Sequence, residues 1–246
     1  MTFCLAMNIR NGIVGIADTQ VTTGTERITA RKVTIHQHGR HSMFVMCSGL
    51  RSLRDKALTY FDEVLGNGEP PLDKLYKAVN ALATQVRRVA QEDKKALTES
   101  GFSFNLYCIV GGQLEEDREP KLFLLYPQAN WVEVSRGTPY FVIGESSYGK
   151  PLLDRALTYE SSIESALKVG YLAFDATRIS ATDVNFPVDV VLYRRDSYVV
   201  TEHRCEADTL RPISDWWHDR IRQQVSELPD QWIRGVLDRL GAAPSS

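Results

Sequence analysis

The chain has 246 residues, 43% hydrophobic and 24% charged, with a net charge of −2. These are ordinary globular proportions, long enough for one substantial core, with no global electrostatic pull toward nucleic acid or an anionic membrane. No apolar run reaches the roughly 20 residues that span a bilayer, and the opening "MTFCLAMNIR" has no signal-peptide pattern.

Residues 2–9 and 13–18 read as two strands joined at Asn11-Gly12, a strong hairpin signal. Their apolar residues do not alternate cleanly, which suits strands covered on both faces. On that pairing, residue 18 lies opposite roughly residue 5, a few residues from Thr2. After a polar loop, "RKVTIHQH" and "HSMFVMCS" form a second hairpin turning at Gly39-Arg40. A helix is expected from about Leu50 to Leu65. A longer one follows "GNGEPP", with Leu72, Leu75, Tyr76, Val79, Val86 and Val89 on one stripe.

Four short strands come next, in "FSFNLYCIVG", "KLFLLYP", "WVEVS" and "PYFVIG". Two helices follow, in "GKPLLDRALTY" and "SIESALKVGYLAFDATRI", the second with Ile163, Leu167 and Phe174 facing inward. The strands "VDVVLYRR" and "SYVVTE" then close the globular part. Strand groups alternating with helix pairs argue against a doubly wound parallel sheet. They fit two antiparallel sheets between two helical layers, an α+β fold of the αββα four-layer sandwich type. From Ser214 onward, "SDWWHDRIRQQVSEL" and "PDQWIRGVLDRLG" are amphipathic helices, with Trp217, Ile221 and Val225 four residues apart. Residues 2–210 are therefore expected as the main domain, and 211–246 as a helical extension of it.

Cys4, Cys47, Cys108 and Cys205 are far apart with no CxxC pattern, as expected of reduced thiols in a cytoplasmic protein. His36, His38 and His41 have no carboxylate or cysteine at ligand spacing, and a turn accounts for their polarity, so no metal is expected. "IGESSYGK" lacks the GxxxxGK[ST] spacing of a phosphate loop and reads as a strand-to-helix turn.

The chemistry lies at the start of the chain. A small second residue permits removal of Met1, which would give Thr2 a free α-amine titrating at about 7.7–8.0. That amine is a general base attached to the hydroxyl it must activate, so no histidine is required. It needs a nearby cation, a carboxylate to hold that cation, and backbone donors for a developing oxyanion. Asp18, ending the second strand, and Lys32, opening the third, are the candidates.

These residues carry a resemblance. "MTFCLAM", "GIVGIADTQVTTG" and "RKV" are similar to the start of the proteasome-type N-terminal-nucleophile hydrolases, in which an aspartate follows the leading threonine by sixteen residues, the step from Thr2 to Asp18. "IGESSYGKPLLDRAL" at 143–157, "AFDATRIS" at 173–180 and "ISDWWHDRIRQQVSELPDQWI" at 213–233 resemble the Anbu branch, the ancestral-type bacterial relatives of proteasome β-subunits. The resemblance implies Thr2 as nucleophile, Lys32 as electrostatic partner, Asp18 as its anchor and Gly49 as oxyanion-hole donor. It further implies Ser146 near the terminal amine, Asp175 supporting that serine, and Thr22 on the strand that pairs with a peptide substrate. Arg178 stands where the proteasome pattern has a serine, and "QHGRH" lengthens the step from Lys32 to Gly49. By resemblance the activity is peptide or amide hydrolysis without a cofactor, inside a homo-oligomeric ring or open helical double stack, with or without an unfoldase partner. A small-amide or isopeptide hydrolase of the same fold, and a non-catalytic assembly scaffold with an unprocessed N-terminus, are the alternatives.

Overall fold

The computed structural model describes residues 2–23, 26–67 and 72–241. Strands β1 (Phe3–Ile9) and β2 (Gly12–Asp18) form the first hairpin and are buried almost throughout. Ile9 pairs with Gly12 and Cys4 with Ala17, so the two-residue turn is Arg10-Asn11 rather than Asn11-Gly12. Gly12 is needed for a different reason. Its φ is +152°, and a Cβ there would lie 2.0 Å from the Tyr193 carbonyl oxygen on a neighbouring strand. The shifted register moves Asp18 from opposite residue 5 to a position beside Phe3, closer to Thr2 than expected.

The stretch expected as a polar loop contains a ribbon, β3 (Gln20–Thr23) paired with β4 (Glu26–Thr29). Next, β5 (Val33–His38) and β6 (His41–Gly49) turn at Gly39-Arg40, with Gly39 at φ +56°. Helices α1 (Arg51–Asn67) and α2 (Leu75–Glu99) follow. The buried stripe of α2 runs through Leu75, Val79, Leu82, Val86 and Val89; Tyr76 is exposed, and Leu72 precedes the helix.

Strands β7 (Leu106–Gln113), β8 (Lys121–Leu125), β9 (Trp131–Glu133) and β10 (Tyr140–Gly144) lead into α3 (Lys150–Ala156) and α4 (Ile163–Ser180). Ser162 caps α4, its Oγ accepting the Ser165 N–H at 3.1 Å. The buried face of α4 is Ala166, Gly170, Ala173 and Phe174, whereas Ile163 and Leu167 are only half-buried. The helix lies close to the first hairpin here: a Cβ on Gly170 would come within 2.7 Å of the side-chain ends of Ile16 and Met7. Strands β11 (Val188–Arg194) and β12 (Val200–Cys205) complete this part. The last strand begins three residues later than expected, because Asp196 and Tyr198, with positive φ, prolong the turn.

Apart from the β3-β4 ribbon, the strands form two antiparallel five-stranded sheets, in the orders β10-β1-β2-β11-β12 and β5-β6-β7-β8-β9. One apolar cluster draws on both sheets, including Cys4, Ala6, Ile13, Phe44, Met46, Ile109, Val191 and Tyr193. A second joins β6, β7 and β8 to α1 and α2 through Val45, Cys108, Phe123, Phe61, Val79 and Leu82. All four cysteines are free thiols.

The chain divides into two compact units, the first ending at Glu206 and the second beginning at Ala207. In the second, α5 (Ala207–Ser226) and α6 (Gln231–Gly241) are amphipathic helices. Helix α5 starts seven residues ahead of Ser214, the start expected from the sequence, and contains Pro212. Trp216 and Trp217 stack with centroids 6.5 Å apart. No helix among the described residues is long and apolar enough to cross a membrane.

Candidate active site

Thr2 directly precedes β1 and is held through its backbone. The Glu145 N–H donates to the Thr2 carbonyl at 2.7 Å. Phe3 pairs with Gly144 at the end of β10. A Cβ on Gly144 would lie 1.8 Å from the Thr2 carbonyl oxygen, and its φ is +86°, so only glycine fits.

Asp18 ends β2 and is fully buried. Its Oδ1 accepts the Phe3 N–H at 2.8 Å and the Lys32 ammonium at 2.6 Å, and its Oδ2 accepts the Gln20 N–H at 3.2 Å. The ribbon β3-β4 folds the chain back, with the Ala30 N–H donating to the Thr19 carbonyl at 2.8 Å. Lys32 thereby arrives one residue ahead of β5, and its carbonyl accepts the Cys47 N–H at 3.3 Å. The Lys32 side chain is only 3% exposed. Burial holds the Asp18 carboxyl above the usual carboxylate range, by more than the Lys32 ammonium and the two backbone N–H groups pull it down. The pair is two desolvated charges held by good geometry, with Lys32 fixed in position.

Gly49 ends β6 at φ +132°; a Cβ there would lie 1.9 Å from the Asn105 carbonyl oxygen. The Cys47 N–H points toward β5, and the Leu50 N–H donates to the Asn105 carbonyl at 3.1 Å on the β7 side. Alternation along an antiparallel ladder therefore aims the Gly49 N–H away from β7, past the point where β5 pairing begins. It is a backbone donor free of the ladder.

These groups meet at one pocket of about 340 Å³, lined by Thr2, Val21, Lys32, Cys47, Ser48, Gly49, Arg51, Arg54, Asn105, Gly144 and Glu145. Thr2, Lys32 and Gly49 are thus brought together, with Asp18 behind Lys32. Ser146, Asp175 and Thr22 are not among the described lining residues. Ser146 lies two residues beyond Gly144, half-buried, its carbonyl accepting the Lys150 N–H at 3.2 Å. Asp175 is buried on α4, where its Oδ1 accepts Nε and Nη2 of Arg178 at 3.2 and 2.8 Å. The arginine standing in the serine position is thus an ion-pair partner of that aspartate. Thr22 lies in β3 opposite Arg27, and its side chain is outside the described residues, as is Met1.

Sequence reasoning missed Gly144 and Glu145, which set the position of Thr2, and Arg51 and Arg54, which line the pocket. Gly144 left a faint signal as the glycine ending "PYFVIG"; the arginines left none, since two arginines opening a helix resemble a solvated face. Among the described residues, no group of three or more His, Cys, Asp or Glu side chains could hold a metal ion.

No family model matches the sequence, and no curated protein does. Solved structures do. An Anbu Gly-1 mutant from Hyphomicrobium sp. strain MC1 is 31% identical, with 93% of this chain and 99% of that one covered at a TM-score of 0.84. The chain belongs to the Anbu family. Anbu (ancestral beta-subunit) from Yersinia bercovieri is 28% identical, with 92% of this chain and 97% of that one covered at a TM-score of 0.85. The Anbu complex from Pseudomonas aeruginosa, solved as a helical assembly, is 27% identical, with 92% and 97% covered at a TM-score of 0.87. The match to Anbu structures thus takes in nearly the whole chain.

Proposed function

We propose that this Anbu-family chain is an N-terminal-threonine hydrolase that cleaves peptide or amide bonds through an acyl-enzyme on Thr2 after removal of Met1. The observation that carries the reading is Lys32: a buried ammonium, held by Asp18 at 2.6 Å, in the wall of the pocket that contains Thr2. A buried ion pair is weak evidence of stability, so its placement beside a terminal hydroxyl points to chemistry.

The freed α-amine takes the proton from Thr2 Oγ as that oxygen attacks the substrate carbonyl. Lys32 stabilises the developing alkoxide, and the Gly49 N–H receives the oxyanion. Collapse of the tetrahedral intermediate expels the leaving amine, which takes the proton back from the α-amine. A water then hydrolyses the ester by the same route in reverse. Ser146 and Asp175 are assigned to orienting the α-amine, with Arg178 fixing the aspartate, and Thr22 to pairing with the substrate backbone. No step needs a cofactor.

The two clusters, one between the sheets and one beneath α1 and α2, together with the close approach of α4 to β1 and β2, support the αββα four-layer sandwich of this hydrolase class. The helical assembly of the Pseudomonas protein supports a homo-oligomer, ring or open helical double stack, working in the cytoplasm on peptide or protein substrates. The C-terminal helices, the expected extension from residue 211, are assigned to contacts between copies. The test is amide hydrolysis by wild type and Thr2→Ala at equal concentration. The variant is expected to fold and assemble without activity; equal turnover by both proteins overturns the proposal.

A further inference from the structure

The pocket beside Thr2 is lined by two cationic side chains besides Lys32. Arg51 and Arg54 open α1, and one carboxylate, Asp55, serves both. Arg54 donates Nε and Nη2 to Asp55 Oδ1 at 2.9 and 2.7 Å and Nη1 to the Arg31 carbonyl at 3.2 Å, so its guanidinium is fixed. Arg51 donates only Nε, to Asp55 Oδ2 at 3.3 Å, leaving both Nη groups without a partner among the described residues. Its side chain is 57% exposed. Lys32 is already matched by Asp18, and the one acidic residue in the lining is Glu145, beside Thr2. Two guanidiniums share one carboxylate, and neither is paired with Glu145 among the described contacts, so Arg51 has no carboxylate of its own and presents a planar fork suited to bidentate binding of one.

We propose that Arg51, backed by Arg54, is a specificity-determining residue that binds an acidic side chain, glutamate or aspartate, on the residue whose carbonyl Thr2 attacks. The inference rests on the hydrolase reading. A carbonyl seated between Thr2 Oγ and the Gly49 N–H directs its own residue's side chain into the pocket that both groups line. A glutamate that reaches Arg51 meets its free Nη groups; a glutamine of the same shape carries no charge to match them.

The test is binding to the Thr2→Ala protein, so that nothing is consumed. N-acetyl tetrapeptide amides differing only in a last residue of Glu, Gln or Lys are titrated by calorimetry. A hydrogen-bonded charge pair of this kind predicts a Glu-over-Gln preference of roughly ten- to a hundredfold, shrinking as salt is raised. Arg51→Ala in the same background is expected to bring the Glu/Gln ratio close to one, and Arg51→Lys to restore part of it. A parent ratio near one, absence of Glu-peptide binding at millimolar concentration, or tightest binding of the Lys peptide overturns the proposal; the last would make Glu145 the reading residue. Mapping a threonine-directed electrophile on the wild-type chain separates the two claims. Absence of an adduct on residue 2 removes the hydrolase reading, while the Glu/Gln ratio still decides whether Arg51 reads a carboxylate.

Discussion

Replacing Lys32 by methionine keeps the length of the side chain and removes its charge. Asp18, with no exposed surface, then loses the ammonium at 2.6 Å but keeps the N–H donors of Phe3 and Gln20 at 2.8 and 3.2 Å. Breaking a buried pair by removing one partner costs about 3–5 kcal/mol, and the two surviving donors place this case near ~3 kcal/mol. For a domain of this size that is a fall in Tm of roughly 6–12 °C. Asp18→Asn strands the ammonium instead and is expected to cost at least as much. The double variant removes both charges, so its loss should be smaller than the sum of the two by ~2 kcal/mol or more. Thermal unfolding followed by circular dichroism, at one fixed protein concentration because assembly would otherwise move Tm, measures all three. Additivity within about 0.5 kcal/mol, or a Lys32→Met Tm equal to wild type, would refute the argument that Asp18 and Lys32 hold one another.

Gly144→Ala puts a methyl group against the Thr2 carbonyl, 1.8 Å from its oxygen, and should break the Glu145 hydrogen bond; labelling at Thr2 is expected to slow by about a hundredfold, as for a displacement near 1 Å, and an unchanged labelling rate counts against the placement. Tyr193 has its phenol pushed up to about 12 by burial. The unfolded chain therefore ionises it near pH 10 while the folded chain does not, so its contribution to stability is complete below pH 10 and is lost as pH rises toward 12. Tyr193→Phe should flatten that part of the Tm–pH curve, and parallel curves for the two proteins would contradict it. Truncation after Glu206 is expected to leave a single cooperative unfolding transition, since the first unit keeps its own core, and to lower the particle mass seen by light scattering; a truncated chain of unchanged particle mass would remove the assembly role of the C-terminal helices.

The local signals that were legible are those in which one residue type does one job. Gly39-Arg40 turns the second hairpin because glycine accepts φ +56°. Asp18 and Lys32 stand out as candidates at two strand ends, and it is the resemblance to the proteasome-type hydrolases that implies their pairing. Long-range packing is what the sequence hides. Gly12 looks like half of a turn, but it is needed by Tyr193, 181 positions further along the chain; the register moves accordingly and brings Asp18 beside Phe3. The ribbon from Gln20 to Thr29 is too short and polar to show a period, and it exists because it carries the chain from Asp18 to Lys32. Of the large apolar residues of α4 that the sequence turns inward, Phe174 packs edge-on against Phe3 of β1, whereas Ile163 and Leu167 stay half-buried and Gly170 is the residue that comes close to Leu5, Met7 and Ile16. Arg178 looked like a lost serine, and its pairing with Asp175 becomes visible only on the folded helix.

The proposed chemistry needs one unit, a hydroxyl and an α-nitrogen on the same residue. An α′,β′-epoxyketone peptide closes a ring only by bonding to both, so the measurement is the mass of the N-terminal fragment after such treatment. A single adduct on a fragment beginning at Thr2, resistant to hydroxylamine and absent from Thr2→Ala, is the predicted result. A fragment still beginning at Met1 and free of adduct in every molecule would contradict it.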